Sequence, residues 1–258
     1  MRIKTGLLTL GLCSALMACT TPEPEQSHAD PLPPALDPAP LEEEWAIEWW
    51  MPRHQEKLAL AREKDPELVF IGDSITQGWE QSGAEAFEEA FGEWRTLNLG
   101  FSGDRTENVL WRLEHGAVNE IDPELIVMMI GTNNTGHRMD PPSEVAAGVT
   151  EIVDQLQTRL PETNILLLAI FPRSATPDDP MRVTNDAIND RIQGLAAREG
   201  GYWANVNDIF LDEQGHLPKA IMPDLLHPEE KGYERLAAEL KPMVESLMTK
   251  GELPASRR

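Results

Sequence analysis

An α/β fold, with one parallel sheet covered by helices on both faces, is what this sequence predicts. Three observations lead there. The chain of 258 residues is long enough to bury a sizeable core in one domain. Short apolar runs of strand length alternate with longer segments of helical character, which is the pattern of strands joined by helical crossovers. No internal repeat interrupts this alternation, and nothing in it calls for a second domain.

The elements follow in order. Residues 1–18, "MRIKTGLLTLGLCSALMA", carry Arg2 and Lys4 ahead of an apolar run too short for a comfortable membrane span, as in an export signal. "LMAC", residues 16–19, resembles the lipobox of bacterial lipoproteins, which implies cleavage before Cys19 and lipid attachment to it. The expected location is the cell envelope, facing the periplasm or the cell surface, with the membrane as a partner through Cys19. The only other cysteine, Cys13, lies in the leader, so the remaining chain has no disulfide to form. Residues 19–41 are proline-rich and read as a semi-rigid tether, able to reach about 70 Å when extended. Residues 42–65 form a tryptophan-rich lead-in, with Pro52 suited to the first turn of a helix reaching about Lys64. Trp45, Trp49 and Trp50 can pack on the domain or form a sugar-stacking platform, and packing is the expected role. His54 is expected at the surface or in a cap.

Residues 66–250 are the main domain. Strands are expected at "ELVFIG" (67–72), "RTLNLG" (95–100), "LIVMMIG" (125–131), "NILLLAI" (164–170) and "YWANVN" (202–207). Helices are expected near 84–92, 105–115, 142–159, 181–199 and 229–249. In open sheets of this kind ligands bind beyond the carboxyl ends of the strands. The first three strands end at "GDS", "GFSGD" and "GTNN", so polar, glycine-bearing turns converge on one edge.

Ser74 stands at that edge. A serine hydroxyl needs a base to take its proton and a third group to hold the base. "MPDLLHP", residues 222–228, offers Asp224 and His227 three apart, which one turn of helix-like backbone would set on the same side. Taken singly, "GDS" is more often a helix cap, and Asp-x-x-His is equally unspecific. Their positions, one after the first strand and one before the last helix, give the pair its interest.

"FIGDSIT", "LNLGFSGDRTENVLWRL", "IVMMIGTNN" and "DLLH" resemble the four ordered blocks of the SGNH, or GDSL, hydrolase superfamily. Within it the second block is most similar to the catalytic subunits of the platelet-activating factor acetylhydrolases. The resemblance covers roughly residues 66–248 and implies a flavodoxin-like, three-layer α/β/α fold with a five-stranded parallel sheet. It also implies a serine ester hydrolase in which Ser74 is nucleophile, His227 general base and acid, and Asp224 the orienting partner. The oxyanion hole would comprise the N–H groups of Ser74 and Gly103 and the side-chain amide of Asn133. Ser102 departs from the glycine of that group, which puts the shape beside Gly103 and the fit of substrate in question. The implied acyl group is short, such as acetyl, on a small-molecule or glycan ester. A lysophospholipase or thioesterase with longer acyl preference would use the same residues, and a non-catalytic glycan-binding envelope protein is a third reading.

Other signals are read conservatively. Asp73 and Asp104 suit turn stabilisation, Trp111 and Arg112 a helix packed on the sheet, and His115 the end of that helix. His137 and Arg138 could border the cleft, while His216 lies in a loop. No His-x-x-x-His or cysteine cluster suggests a metal, and "GFSGDR" lacks the spacing of a dinucleotide fingerprint, so no cofactor is expected. The 44 acidic against 22 basic residues, a formal charge of -22, argue against nucleic acid as a partner. The oligomeric state is not legible.

Overall fold

The computed structural model describes residues 31–198 and 200–254. The expected signal peptide, Cys19 and the first part of the tether lie outside the described residues. Five strands, β1 (Leu68–Gly72), β2 (Thr96–Gly100), β3 (Leu125–Met129), β4 (Asn164–Leu168) and β5 (Gly201–Ala204), form one sheet. All neighbouring pairs are parallel, in the order β2-β1-β3-β4-β5. The flavodoxin-like, three-layer arrangement expected from the sequence is therefore the one observed. β5 is shorter than its apolar run because Asn205 accepts the Asn207 N–H at 3.0 Å, turning the chain out of the sheet into a single 3-10 turn.

Eight α-helices are described: α1 (Trp50–Lys64), α2 (Ser74–Gln77), α3 (Ala84–Phe91), α4 (Thr106–Glu114), α5 (Thr132–Arg138), α6 (Pro142–Arg159), α7 (Pro180–Ile192) and α8 (Glu230–Lys250). The expected helix at 181–199 stops at Ile192 and continues as 3-10 turns through Ala197, where Gly194 removes helix propensity. Successive strand residues point to opposite faces. Val69, Ile71, Ile126 and Met128 bury against α4, α6 and α7, while Leu68, Phe70, Leu125 and Val127 bury against α3 and α8. The sheet is thus sandwiched, as its unbroken apolar strands require.

The part of the tether that is described differs from expectation. Residues 32–41 pack on the domain, with Ala35 and Leu41 buried. Proline-rich backbone has few internal hydrogen bonds, and side chains of α4 supply partners. Thr106 Oγ1 donates to the Ala35 carbonyl at 2.7 Å, and Asn108 Nδ2 to the Ala39 carbonyl at 2.9 Å. A Cβ on Gly148 of α6 would lie 2.5 Å from the Ala35 carbonyl oxygen, so the strap fits only over glycine.

Candidate active site

In this strand order the direction of winding reverses between β1 and β3, and the crevice at their carboxyl ends is where a ligand site is expected. β1 delivers Ser74 to this edge as the first residue of α2. Gly72 permits the sharp exit, since a Cβ there would lie 2.2 Å from Thr76 Oγ1 and 2.5 Å from the Met129 carbonyl oxygen. Asp73 caps α2 by accepting the Ile75 N–H at 2.9 Å. Its other carboxyl oxygen has no hydrogen-bond partner, and full burial pushes the group up to about 7.

β2 runs into a turn closed by the Asp104 N–H on the Phe101 carbonyl at 3.1 Å, with Gly103 at φ +80°. The left-handed conformation at Gly103 is one that glycine adopts without strain. Asp104 is held from behind. It accepts Trp50 Nε1–H at 2.6 Å and Arg112 Nε–H at 2.9 Å, and the Arg112 guanidinium lies over the Phe101 ring at 4.1 Å. Burial pushes the Asp104 carboxyl up to about 6 even against the pull of Arg112.

Beyond β3, Gly131 at φ +126° leads into α5, which carries Asn133. One Asn133 amide hydrogen goes to the Asp104 carbonyl at 3.0 Å, and an amide nitrogen has a second to offer. Its neighbour Asn134 fastens α5 to α4 by accepting the Thr106 N–H at 3.0 Å and donating to Glu107 at 3.2 Å, and it also donates to Asp140 just beyond α5 at 3.1 Å. Arg173 Nη1 donates to the Thr132 carbonyl at 2.6 Å.

The last two side chains arrive from the loop between β5 and α8. Asp224 Oδ1 accepts the backbone N–H groups of Leu226 at 3.0 Å and His227 at 2.8 Å, with Leu225 left-handed at φ 62°. The expected helix-like turn is instead a turn closed by the carboxylate, which aims both side chains the same way. Asp224 Oδ2 lies 2.6 Å from His227 Nδ1, and His227 Nε2 lies 2.8 Å from Ser74 Oγ. Burial alone would raise the Asp224 carboxyl, but the hydrogen bonds from the His227 backbone and ring outweigh it and hold the carboxyl below its ordinary value. Tyr233 of α8 donates to the Ile75 carbonyl at 2.8 Å, tying the loop's far end to α2. Ser74, His227 and Asp224 therefore form one hydrogen-bonded chain, able to move a proton off the hydroxyl.

These residues open on a cleft of about 540 Å³, within the range of small-molecule sites. Trp45 and Trp49 form part of its wall, and Ser102 lies beside them with its N–H donated to Gln77 Oε1 at 2.7 Å.

The pattern of the GDSL-like Lipase/Acylhydrolase family matches residues 70–235. The chain belongs to that family. It is 32% identical over 220 residues to the platelet-activating factor acetylhydrolase IB subunit alpha1 of Bos taurus, covering 85% of this chain and 92% of the relative. Among solved structures, a GDSL-like lipase from Bacteroides thetaiotaomicron superposes with a TM-score of 0.62 at 20% identity, covering 78% of this chain and 98% of that one. An acetylxylan esterase from Geobacillus stearothermophilus gives a TM-score of 0.56 at 24% identity, covering 68% and 92%. At such identities the structural likeness speaks for the fold. As a member of the acylhydrolase family, the chain is an ester hydrolase.

Around this GDSL site the remaining candidates divide. His54 is buried, 1% exposed, donating from Nε2 to the His115 carbonyl at 3.2 Å, with ring contacts to Trp50 and Trp111. The expected surface role fails because α1 lies against α4, and burial lowers this imidazole to about 4. His115 ends α4 and donates from Nδ1 to the Trp111 carbonyl at 2.7 Å. Arg138 pairs with Glu107 and Asp140 at 2.6 Å each, and His137 lies 3.4 Å from Arg105, so both belong to the network that fixes α5. His216 is 3.7 Å from Asp212 in an exposed loop. Among the described residues, no group of three or more His, Cys, Asp and Glu is arranged to hold a metal ion. Sequence reasoning did not single out Gln77 or Tyr233, and only the proximity of Gln77 to "GDS" could have drawn attention to it.

Proposed function

We propose that this protein is an exported serine esterase that removes short acyl groups, such as acetyl, from small carbohydrate or lipid esters. Ser74 Oγ attacks the ester carbonyl while His227 Nε2 takes its proton, and Asp224 steadies the imidazolium. The carbonyl oxygen becomes an oxyanion met by the N–H groups of Ser74 and Gly103 and the free amide hydrogen of Asn133. As the C–O bond to the alcohol breaks, His227 returns the proton to the departing oxygen and leaves an acyl-Ser74. Water, deprotonated by the same nitrogen, then attacks the acyl carbon, and Ser74 regains its proton as the acid departs.

The observation that carries this reading is the continuous chain from Asp224 through His227 to Ser74, with contacts of 2.6 and 2.8 Å. A short acyl group is supported by the likeness to the platelet-activating factor acetylhydrolase subunit, a relative named for acetyl removal. Turnover of a series of nitrophenyl esters, from acetate upward, tests the reading. Activity should peak at the shortest esters and vanish in Ser74→Ala; a rise toward eight or more carbons would instead assign a lysophospholipase or thioesterase.

Export and lipid attachment rest on "LMAC" and the preceding apolar run. The anchor would hold the enzyme on the envelope, facing the periplasm or the cell surface. Replacing Cys19 with Ala should move the enzyme from the membrane fraction to the soluble one. Unchanged partition would rule the anchor out.

A further inference from the structure

Trp50, Trp49 and Trp45 belong to one short segment, yet they meet different surroundings. Trp50 is fully buried against Phe101 and Trp111, whereas Trp45 keeps 52% of its surface exposed and Trp49 is half-buried. The two outer rings lie 6.2 Å apart with their planes only 30° from each other, making a nearly continuous apolar face on the cleft that holds Ser74.

This face is preorganised. A Cβ on Gly103 would lie 2.2 Å from the Trp45 ring, so the indole rests directly on the backbone beside the proposed oxyanion site. Trp49 Nε1 donates to the Trp45 carbonyl at 3.1 Å, the intervening Ala46 is fully buried, and Glu43 meets Arg105 at 3.1 Å. Rings fixed by packing lose little freedom when a ligand covers them. An exposed aromatic pair held still beside a reacting hydroxyl calls for a ligand.

The rest of the lining says which kind. It presents Gln77, Gln81, Ser82, Ser102 and Glu229, amides, hydroxyls and a carboxylate rather than aliphatic side chains. A lipid tail would desolvate these groups without satisfying them. A sugar ring has an apolar C–H face for the indoles and hydroxyls for the polar wall. The cleft's own carboxylates, and a chain charge of -22, disfavour an anionic headgroup but cost a neutral sugar nothing.

We propose that Trp45 and Trp49 form the leaving-group subsite of this esterase and that its substrate is an O-acylated ring of a neutral carbohydrate. The inference rests on Ser74 being the nucleophile of a short-acyl esterase. It adds the identity of the alcohol, and it gives the lead-in segment a specificity role.

The test compares two acetyl esters that differ only in the alcohol. One is an O-acetylated xylo-oligosaccharide and the other is vinyl acetate, whose leaving group is too small to reach the rings. In Trp45→Ala and in Trp49→Ala the ratio of kcat/KM for the sugar over vinyl acetate should fall at least tenfold, through KM. Trp45→Phe should restore much of it. Calorimetry on the Ser74→Ala protein should detect the acetylated oligosaccharide, and the double variant with Trp45→Ala should not. A ratio unchanged within twofold in both tryptophan variants would overturn the proposal. So would a larger loss on an acetylated phospholipid in zwitterionic vesicles than on the sugar, because the rings would then be a lipid-docking face. Should wild-type hydrolysis of vinyl acetate survive Ser74→Ala, the nucleophile assignment fails instead, and the two failures are told apart by that control.

Discussion

The Arg112 and Asp104 side chains keep 1% and 0% of their surface exposed, whereas those of His227 and Asp224 keep 38% and 54%. Both pairs join a carboxylate to a cation-forming group at the same edge of the sheet. Their difference lies in what the partner can do. A guanidinium stays protonated under all ordinary conditions, so the buried pair can neutralise and brace but cannot exchange a proton. An imidazole changes charge near neutral pH, and partial exposure leaves room for an ester and a water molecule. The comparison teaches that burial assigns one pair to the frame and leaves the other open to the cleft, where the proposed chemistry needs it. The bond from Asn133 Nδ2 to the Asp104 carbonyl ties the buried pair's turn to α5.

The comparison can be broken most severely at the exposed pair. Asp224→Asn should lower kcat by about 10⁴-fold through loss of the imidazole's orientation, while unfolding midpoints barely move because exposed ion pairs contribute little. A loss of less than tenfold on a short ester would remove Asp224 from the mechanism.

At the buried pair the larger signal should be stability. Arg112→Met leaves Asp104 without its cation and should cost about 3–5 kcal/mol in urea unfolding at pH 8. Asp104 sits at about 6 in the folded protein, above its unfolded value, so its charged form is disfavoured by folding. Without Arg112 that value rises further, so the deficit should be full above the variant's own value and shrink as pH falls toward about 6, below which the carboxyl is protonated in both folded proteins. A deficit independent of pH would mean that lost packing, rather than the stranded carboxylate, is responsible.

A smaller effect sharpens the same lesson in the aromatic layer. His54 is held at about 4 in the folded state, so below about pH 6.5 the unfolded chain takes up a proton that the folded one refuses. Wild-type stability should fall across the window from about 6.5 to about 4, by up to ~3 kcal/mol from this group. His54→Gln, which can still donate to the His115 carbonyl, should lack that component. Superimposable pH profiles for the two proteins would show that His54 does not titrate in this way.

The strands were legible because apolar runs of strand length, bounded by glycine, need few alternatives, and "GDS", "GTNN" and "DLLH" mark the turns that follow them. Ser74, Asp224 and His227 could be named because the proposed reaction tolerates few residue types at each position. What escaped was set by neighbours distant in sequence. His54 looked superficial because the rings that enclose it begin with Trp111, and Asp104 looked like a simple turn residue because Trp50 reaches it from another element. Proline content in 32–41 suggested an open spacer, since nothing local reveals that Thr106 and Asn108 supply its missing donors. For Trp45 the sequence offered packing and display as alternatives, and the fold divides them between Trp50 and its two neighbours.

The strap over α4 and α6 has a practical bearing on how this hydrolase can be cut and joined. A version trimmed to the matched span, starting at residue 70, would discard the aromatic half of its own cleft along with the indole that braces Asp104. Fusion partners and display scaffolds therefore belong upstream of Leu32, where the folded unit begins.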